Sequence, residues 1–497
     1  MRNINQQKLE RELKEMCQSW DFSGFFIVNQ CDECLVESGF GYADRMVPNG
    51  LEQRAIKSDS RFIFHSESPL LVAIAVLQLV DERKIKLTDS LSRWIPEYPF
   101  ADQIKVKHLL KSNSGIPDFY YNCLMVTFEG DPVHQQRTDE EKRVFEKRML
   151  NQNRHFERVF ELVKEGALLY APGTKGRMGS ATNWVFLAEI VKRITGETVL
   201  ERLMKSVFEP LQMTKIKRGG DGDTVSYTVV NNTHLVRMPL DYPVKGLFSV
   251  TLSDMKTFLK ALATRKVFSE ASWKLLLQYD EEGEGIVFEN ANGFDCANIE
   301  FLGYGFYFYI NHKTGVSFAS LTNEEQRYKH IAGDQQYFRR MTREIVEAAF
   351  TFPEDTKLVP LSTKNMWQAL SLKVEENQQS FVLETKSSVA MALMYKTKRA
   401  FVEMEGSRAV GLLVLDINPK KNYFNIDIII IDKRFQGKGY GKIMLNWAIE
   451  TLKKQGAKEL EIGVSRYNHA AMKIYMDAGF TPKAVYDGGM NLHMLIE

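Results

Sequence analysis

Asn425-Ile-Asp427-Ile-Ile429-Ile430-Ile431-Asp-Lys-Arg434-Phe-Gln436-Gly437-Lys438-Gly439-Tyr440-Gly441-Lys442 is the stretch whose reading decides how the second half of this chain folds. So dense a β-branched run reads as a buried strand, closed by Asp432. Beyond the glycines, Ile443, Met444, Trp447, Ala448 and Leu452 recur at helical spacing. A glycine-rich turn therefore joins a strand to a helix N-terminus. Glycines let the backbone approach a ligand closely, and free N–H groups with the helix dipole favour a phosphate or pyrophosphate. Spacing excludes two phosphate loops. Gly437, Gly439 and Gly441 do not fit G-x-G-x-x-G, and G-x-x-x-x-G-K-[ST] is absent.

Downstream, Glu459–Val464 reads as a second strand, followed by Asn468-His-Ala-Ala471-Met-Lys-Ile-Tyr475-Met-Asp-Ala-Gly479-Phe480. Asn468 suits a helix N-cap. Tyr475 lies two turns on and shares its face, and Gly479 suits the C-cap. The spacings R/Q-x-x-G-x-G/A and N-x-x-A-x-x-x-Y-x-x-x-G-F resemble the two signatures of the GNAT superfamily of N-acetyltransferases, over residues 366–497. LSLKVEENQQSFV is similar to the opening of the polyamine-type branch. The resemblance implies an α/β fold with a mixed, mostly antiparallel, splayed sheet and helices on both faces.

That resemblance also implies a cosubstrate, acetyl-CoA. Its pyrophosphate is expected on the amides of Gln436, Gly437, Lys438, Gly439, Tyr440, Gly441 and Lys442. Its pantetheine arm is expected along Ile429, Ile430 and Ile431 and beside Asn468. Tyr475 is expected to protonate the departing thiolate; a plain core aromatic is the alternative. Asp427 stands where the branch tends to carry an acid, either to hold a substrate ammonium or to act through water as general base. An ordinary strand-edge aspartate is the other reading. A neutral amine attacks directly in this scheme, which calls for no metal.

The first 350 residues read differently. Leu70–Val80 (LLVAIAVLQLV) is an apolar run too short for a bilayer, which needs about 20 residues, and reads as a buried helix. RFIFHSESPLLVAIAVLQLVDERKIKLTDSLSRWIPEYPF, Lys107-His-Leu-Leu-Lys-Ser-Asn-Ser-Gly115-Ile-Pro-Asp, Ala171-Pro-Gly173 and Lys245-Gly-Leu-Phe-Ser resemble landmarks of the serine β-lactamase and penicillin-binding-protein-like family. The resemblance implies an α+β fold, an antiparallel sheet with helices. Its catalytic motifs are damaged. S-x-x-K reads Ser66-Glu67-Ser68-Pro69, and proline cannot deprotonate a serine. Y-x-N falls on Met178 and Ser180. H-x-G survives partly as His330-Ile-Ala-Gly333. Literal matches elsewhere, Ser253-Asp-Met-Lys256, Tyr120-Tyr-Asn122 and Lys313-Thr-Gly315, fall at the wrong landmarks. The expectation is a degenerate hydrolase site.

Composition bounds the rest. A length of 497 residues exceeds one ordinary domain. The expected organisation is a multidomain chain: residues 1–350, a linker over 351–365 containing two prolines, and residues 366–497. A net charge of +2 argues against a nucleic-acid partner, and the last domain, with 18 basic and 14 acidic residues, is the more basic. Five cysteines make no disulfide framework, and Cys31-Asp-Glu-Cys34 reads as a hairpin tip. The N-terminus MRNINQQKLERELKEM shows no signal peptide. A cytoplasmic protein with no membrane partner is expected, oligomers being left open. The leading function is acetyl transfer from acetyl-CoA to a primary amine, such as a polyamine or an amine-bearing antibiotic or peptide, with a pseudo-hydrolase domain for substrate binding or assembly. Two alternatives stand beside it: a serine hydrolase or peptidase using Ser66 with a regulatory GNAT domain, and a binding protein without catalysis.

Overall fold

Two compact units divide the chain, residues 6–343 and 344–497. The structure is a computed structural model, and it describes residues 6–19, 21–31, 33–46, 53–174, 180–220, 222–230, 234–238, 240, 244–279, 285–291, 294–324, 345–346, 349–350, 356–381, 383–405 and 408–496. Met178 and His330 lie outside the described residues.

The first unit is α+β. Its hairpin β1 (Gly24–Gln30) and β2 (Glu33–Phe40) turns at Cys31, whose φ is +51° and whose N–H donates to Gly315 O at 2.7 Å. Two short antiparallel strands, β3 (Arg61–His65) and β4 (Leu247–Thr251), pair with Phe62 opposite Val250 and His65 opposite Leu247. Strands β5 (Glu289–Ala291), β6 (Phe294–Phe301), β7 (Tyr304–Asn311) and β8 (Val316–Thr322) complete an antiparallel sheet in the order β2-β1-β8-β7-β6-β5.

Helix α1 (Pro69–Asp81) supplies the middle of this core. Proline fits its first turn, where no intrahelical N–H is needed. Leu70 to Leu77 and Leu79 are all buried, each leucine, valine and isoleucine among them contributing about 1.5–3 kcal/mol relative to exposure. Among the described residues no helix is long and apolar enough to cross a membrane. Helix α2 (Thr182–Thr195) packs against α1. Lys313-Thr-Gly315 is the β7–β8 turn, and Ser253–Lys256 lies on helix α3 (Leu252–Ala263), as their landmarks imply.

The second unit is built on a seven-stranded sheet. In chain order its strands are β9 (Lys357–Pro360), β10 (Lys398–Glu405), β11 (Arg408–Asn418), β12 (Tyr423–Ile431), β13 (Glu459–Ser465), β14 (Thr481–Tyr486) and β15 (Gly489–Leu495). The spatial order is β9-β10-β11-β12-β13-β15-β14. Among the described residues, β12 and β13 form the sheet's one parallel pair. Helices α4 (Met366–Leu370) and α5 (Thr385–Met394) bury Ala369 and Val389 against one face, with Val402, Leu412 and Ile428. Helices α6 (Tyr440–Lys454) and α7 (His469–Asp477) bury Met444, Leu445 and Tyr475 against the other, with Leu413 and Ile462. One expectation is corrected. The stretch 351–365, read as a linker from its prolines, contributes β9, which pairs with β10 from Lys357↔Met404 to Pro360↔Phe401. Its place at the sheet edge explains the misreading, because a terminal strand tolerates proline.

Candidate active site

The parallel pair at the sheet centre is short. Strands β12 and β13 meet only at Asn425↔Glu461 and Ile426↔Ile462. From Asp427 to Ile431 the β12 edge facing β13 is unpaired, while its other edge continues along β11 to Ile431↔Gly411. A bulge sits there too: Val414 faces Ile428 and Leu415 faces Ile426, so Asp427 is the extra residue. The sheet splays where Ile429, Ile430 and Ile431 lie, and their backbone groups on that edge are available to a ligand. Gln436 Nε2 already donates to Ile431 O at 3.0 Å.

The glycine turn follows. Gly437 and Gly439 hold φ of +78° and +91°, and a Cβ at either would meet nothing within 4 Å. Gly439 is the N-cap of α6 and brings no side-chain cap. The amides of Lys442 and Ile443 donate to Gly439 O at 3.1 and 3.2 Å. Those of Gly439 and Gly441 have no hydrogen-bond partner among the described residues. Open space, uncapped amides and a 15-residue helix dipole behind them fit a pyrophosphate. Tyr440 contributes backbone only; its ring is buried with Val410 and Phe435. The Lys442 side chain is exposed. Lys438 Nζ donates to Ala349 O at 2.9 Å.

Two anchors that the sequence reading missed hold this loop. Buried Asp432 accepts from Arg434 Nε at 2.7 Å, Arg434 N at 3.0 Å and Lys373 N at 3.0 Å. The signature arginine is thus fixed inward on Asp432. Gln436 and Gln378 exchange amide hydrogen bonds at 2.8 and 3.0 Å. An aspartate that closes a strand looks like punctuation in one dimension, and Gln378 lies 58 residues from its partner.

Asn468 caps α7, its side chain accepting from Ala471 N at 3.2 Å. Tyr475 is buried among Leu413, Ile462 and Phe480. Burial pushes its hydroxyl up to about 12, and that hydroxyl has no hydrogen-bond partner among the described residues. Asp427 lies against a residue absent from the sequence reading: Lys398 Nζ is 2.6 Å from its Oδ2. Beside the strand end, a cavity of about 710 Å³ opens between Leu372, Lys373, Glu376, Glu384, Lys386 and Lys433.

The degenerate hydrolase positions lie in the first unit. The Ser66 amide donates to Gly246 O at 3.0 Å, and a Cβ at Gly246 would meet Ser66 Oγ at 2.7 Å. Pro69 opens α1. Ser180 is buried at the entry to α2, and its Oγ accepts from Thr182 N at 3.2 Å. Buried His65 is lowered to about 3, first by desolvation and then by Arg154. Glu67 is pushed up to about 7, chiefly by desolvation, against the pull of Arg154. Among the described residues no cluster of three His, Cys, Asp or Glu side chains is placed to hold a metal.

Known proteins bear on both units. Residues 13–338 match the family described as Beta-lactamase, and residues 365–480 match the Acetyltransferase (GNAT) family. A putative penicillin-binding protein, PbpX of Bacillus subtilis (strain 168), is 34% identical over 280 residues, 54% of this chain and 61% of that protein. An uncharacterized N-acetyltransferase of Methanocaldococcus jannaschii is 31% identical over 106 residues, 20% of this chain and 47% of that protein. A penicillin binding protein from Bacillus halodurans shares the fold, with a TM-score of 0.51 at 19% identity over 65% of this chain and 98% of its own. The chain spans only 42% to 61% of the length of these curated relatives and a further penicillin-binding protein. With the antiparallel sheet and buried α1 of the first unit and the splayed sheet and glycine turn of the second, the chain belongs to the beta-lactamase family through residues 13–338 and carries an acetyltransferase domain of the GNAT family over residues 365–480.

Proposed function

We propose that the second unit transfers the acetyl group of acetyl-CoA to a primary amine of a small molecule. The observation that carries this reading is the β12 edge from Asp427 to Ile431, unpaired with β13, running into a turn whose Gly439 and Gly441 amides have no partner among the described residues. Acetyl-CoA supplies the activated thioester. The chain's residues do the rest. The α6 N-terminus holds the pyrophosphate, the β12 edge orients the acyl arm, and the rigid Asp432–Arg434 pair keeps the two in line. Tyr475, its hydroxyl at about 12, keeps its proton at neutral pH and gives it to the departing sulfur. Asp427 acts as a positioning residue at the bulge, neutralised by Lys398.

The 710 Å³ cavity beside Lys433 supports entry of the amine there. Its mixture of lysines and glutamates favours a substrate less uniformly cationic than a polyamine. The first unit, without lysine at position 69, serves as a pseudo-hydrolase that binds a small molecule. A cytoplasmic setting supplies acetyl-CoA. Thiol release from acetyl-CoA, measured over a panel of amines, tests the reading: amine-dependent release is expected, and release that no amine stimulates contradicts it.

A further inference from the structure

The first unit holds a cavity of about 360 Å³ behind Ser66, near the lower bound of small-molecule sites at about 300–1,000 Å³. Most charges on its walls are engaged with one another. Glu157 pairs with His155 at 3.0 Å and Lys192 at 4.0 Å. Glu189 pairs with Arg193 at 2.8 Å and Lys192 at 3.7 Å. Arg218 pairs with Glu201 at 3.7 Å. Two lining groups are left over. Glu67 Oε2 is buried with no hydrogen-bond partner among the described residues. Among the described residues, nearby Arg154 donates to the Glu67 backbone carbonyl at 3.5 Å and its own Nε has no partner. Lys245, whose backbone adjoins Ser66 through Gly246, forms no ion pair among the described residues.

A buried, unsatisfied carboxyl is costly, and a ligand that donates to it recovers that cost as affinity. Covalent chemistry is disfavoured here. Position 69 holds proline, and the Ser66 amide, a candidate oxyanion donor, is engaged by Gly246 O. We propose that this cavity binds, non-covalently, a small zwitterion whose primary ammonium meets Glu67 and whose carboxylate meets Lys245. The proposal rests on the reading of the first unit as non-hydrolytic.

Isothermal titration calorimetry of the full chain with glycine, 4-aminobutanoate and glycylglycine tests it, with N-acetylglycylglycine and glycinamide as ligands lacking one charge. Binding of at least one zwitterion is expected. Glu67→Gln, which keeps the volume, is expected to weaken it about tenfold or more, and so is the exposed-site variant Lys245→Met. Removing either ligand charge is expected to do the same. Absence of binding up to about 10 mM, or unchanged affinity in both variants, overturns the charge-pair assignment. A covalent adduct on Ser66 in intact-mass spectra, or turnover of glycylglycine, overturns the non-hydrolytic reading on which it rests.

Discussion

Lys398 Nζ lies 2.6 Å from Asp427 Oδ2 and 3.2 Å from Asp416 Oδ2, with its side chain only 7% exposed. Burial alone would lower the lysine, but the two carboxylates outweigh it and hold the ammonium above its usual value. The carboxylate expected to receive a substrate ammonium already has one, supplied by β10. Lys398→Met leaves two part-buried carboxylates facing each other and is expected to cost about 3 kcal/mol, the low end for a broken buried pair. Lys398→Met/Asp427→Asn is expected to recover part of that loss. Urea unfolding of the three proteins checks both statements.

Gly439→Ala is expected to separate binding from folding. The added methyl meets nothing, so the penalty is the left-handed φ of +91°, about 1–2 kcal/mol of stability. The same methyl stands at the uncapped end of α6. KM for acetyl-CoA is therefore expected to rise about tenfold, a change worth about 1.4 kcal/mol. Steady-state kinetics beside a thermal melt reads the two effects independently.

Glu67 makes a statement about pH. Its folded value of about 7 lies above the ordinary glutamate value of 4.5. The folded state therefore holds more protons than the unfolded one between those values, and stability falls as pH rises through that window. His65, depressed to about 3 from 6.5, acts in the opposite sense: its contribution is present above 6.5 and is lost as pH falls toward 3. Wild type minus Glu67→Gln isolates the first effect. The difference in unfolding free energy is expected to move against the wild type from pH 4.5 to 7 and to flatten above it. Chemical denaturation at half-unit pH steps measures it.

Asp432→Asn tests the loop anchor. The buried carboxylate gathers Arg434 and the Lys373 amide, and losing its charge removes the charge-assisted bonds to the guanidinium. Loss of about 2–3 kcal/mol of stability is expected, together with a higher KM for acetyl-CoA. Calorimetric melting with and without acetyl-CoA checks it, since a looser loop also shrinks the stabilisation that the cosubstrate confers.

Much of this was legible in one dimension because the signals were local. The isoleucine run, the glycines and the Asn468–Tyr475 spacing each lie within one strand, one loop or one helix, and the structure gives each the element expected of it. The apolar run Leu70–Val80, read as a buried helix, showed the same way. What stayed hidden depends on pairing between distant segments. Lys398 meets Asp427 across three strands, Gln378 meets Gln436 over 58 residues, and β9 exists only because β10 offers an edge. The unpartnered Oε2 of Glu67 was invisible for the same reason, since burial is a property of the packed unit.

The most direct test of the acetyl-transfer account is kcat for thiol release from acetyl-CoA, with a saturating amine, in wild type and Tyr475→Phe. Removing one hydroxyl from a buried ring leaves the packing intact, so KM for acetyl-CoA is expected to stay within about twofold while kcat falls about 10²-fold. A Tyr475→Phe enzyme that releases thiol at the wild-type kcat would contradict the account.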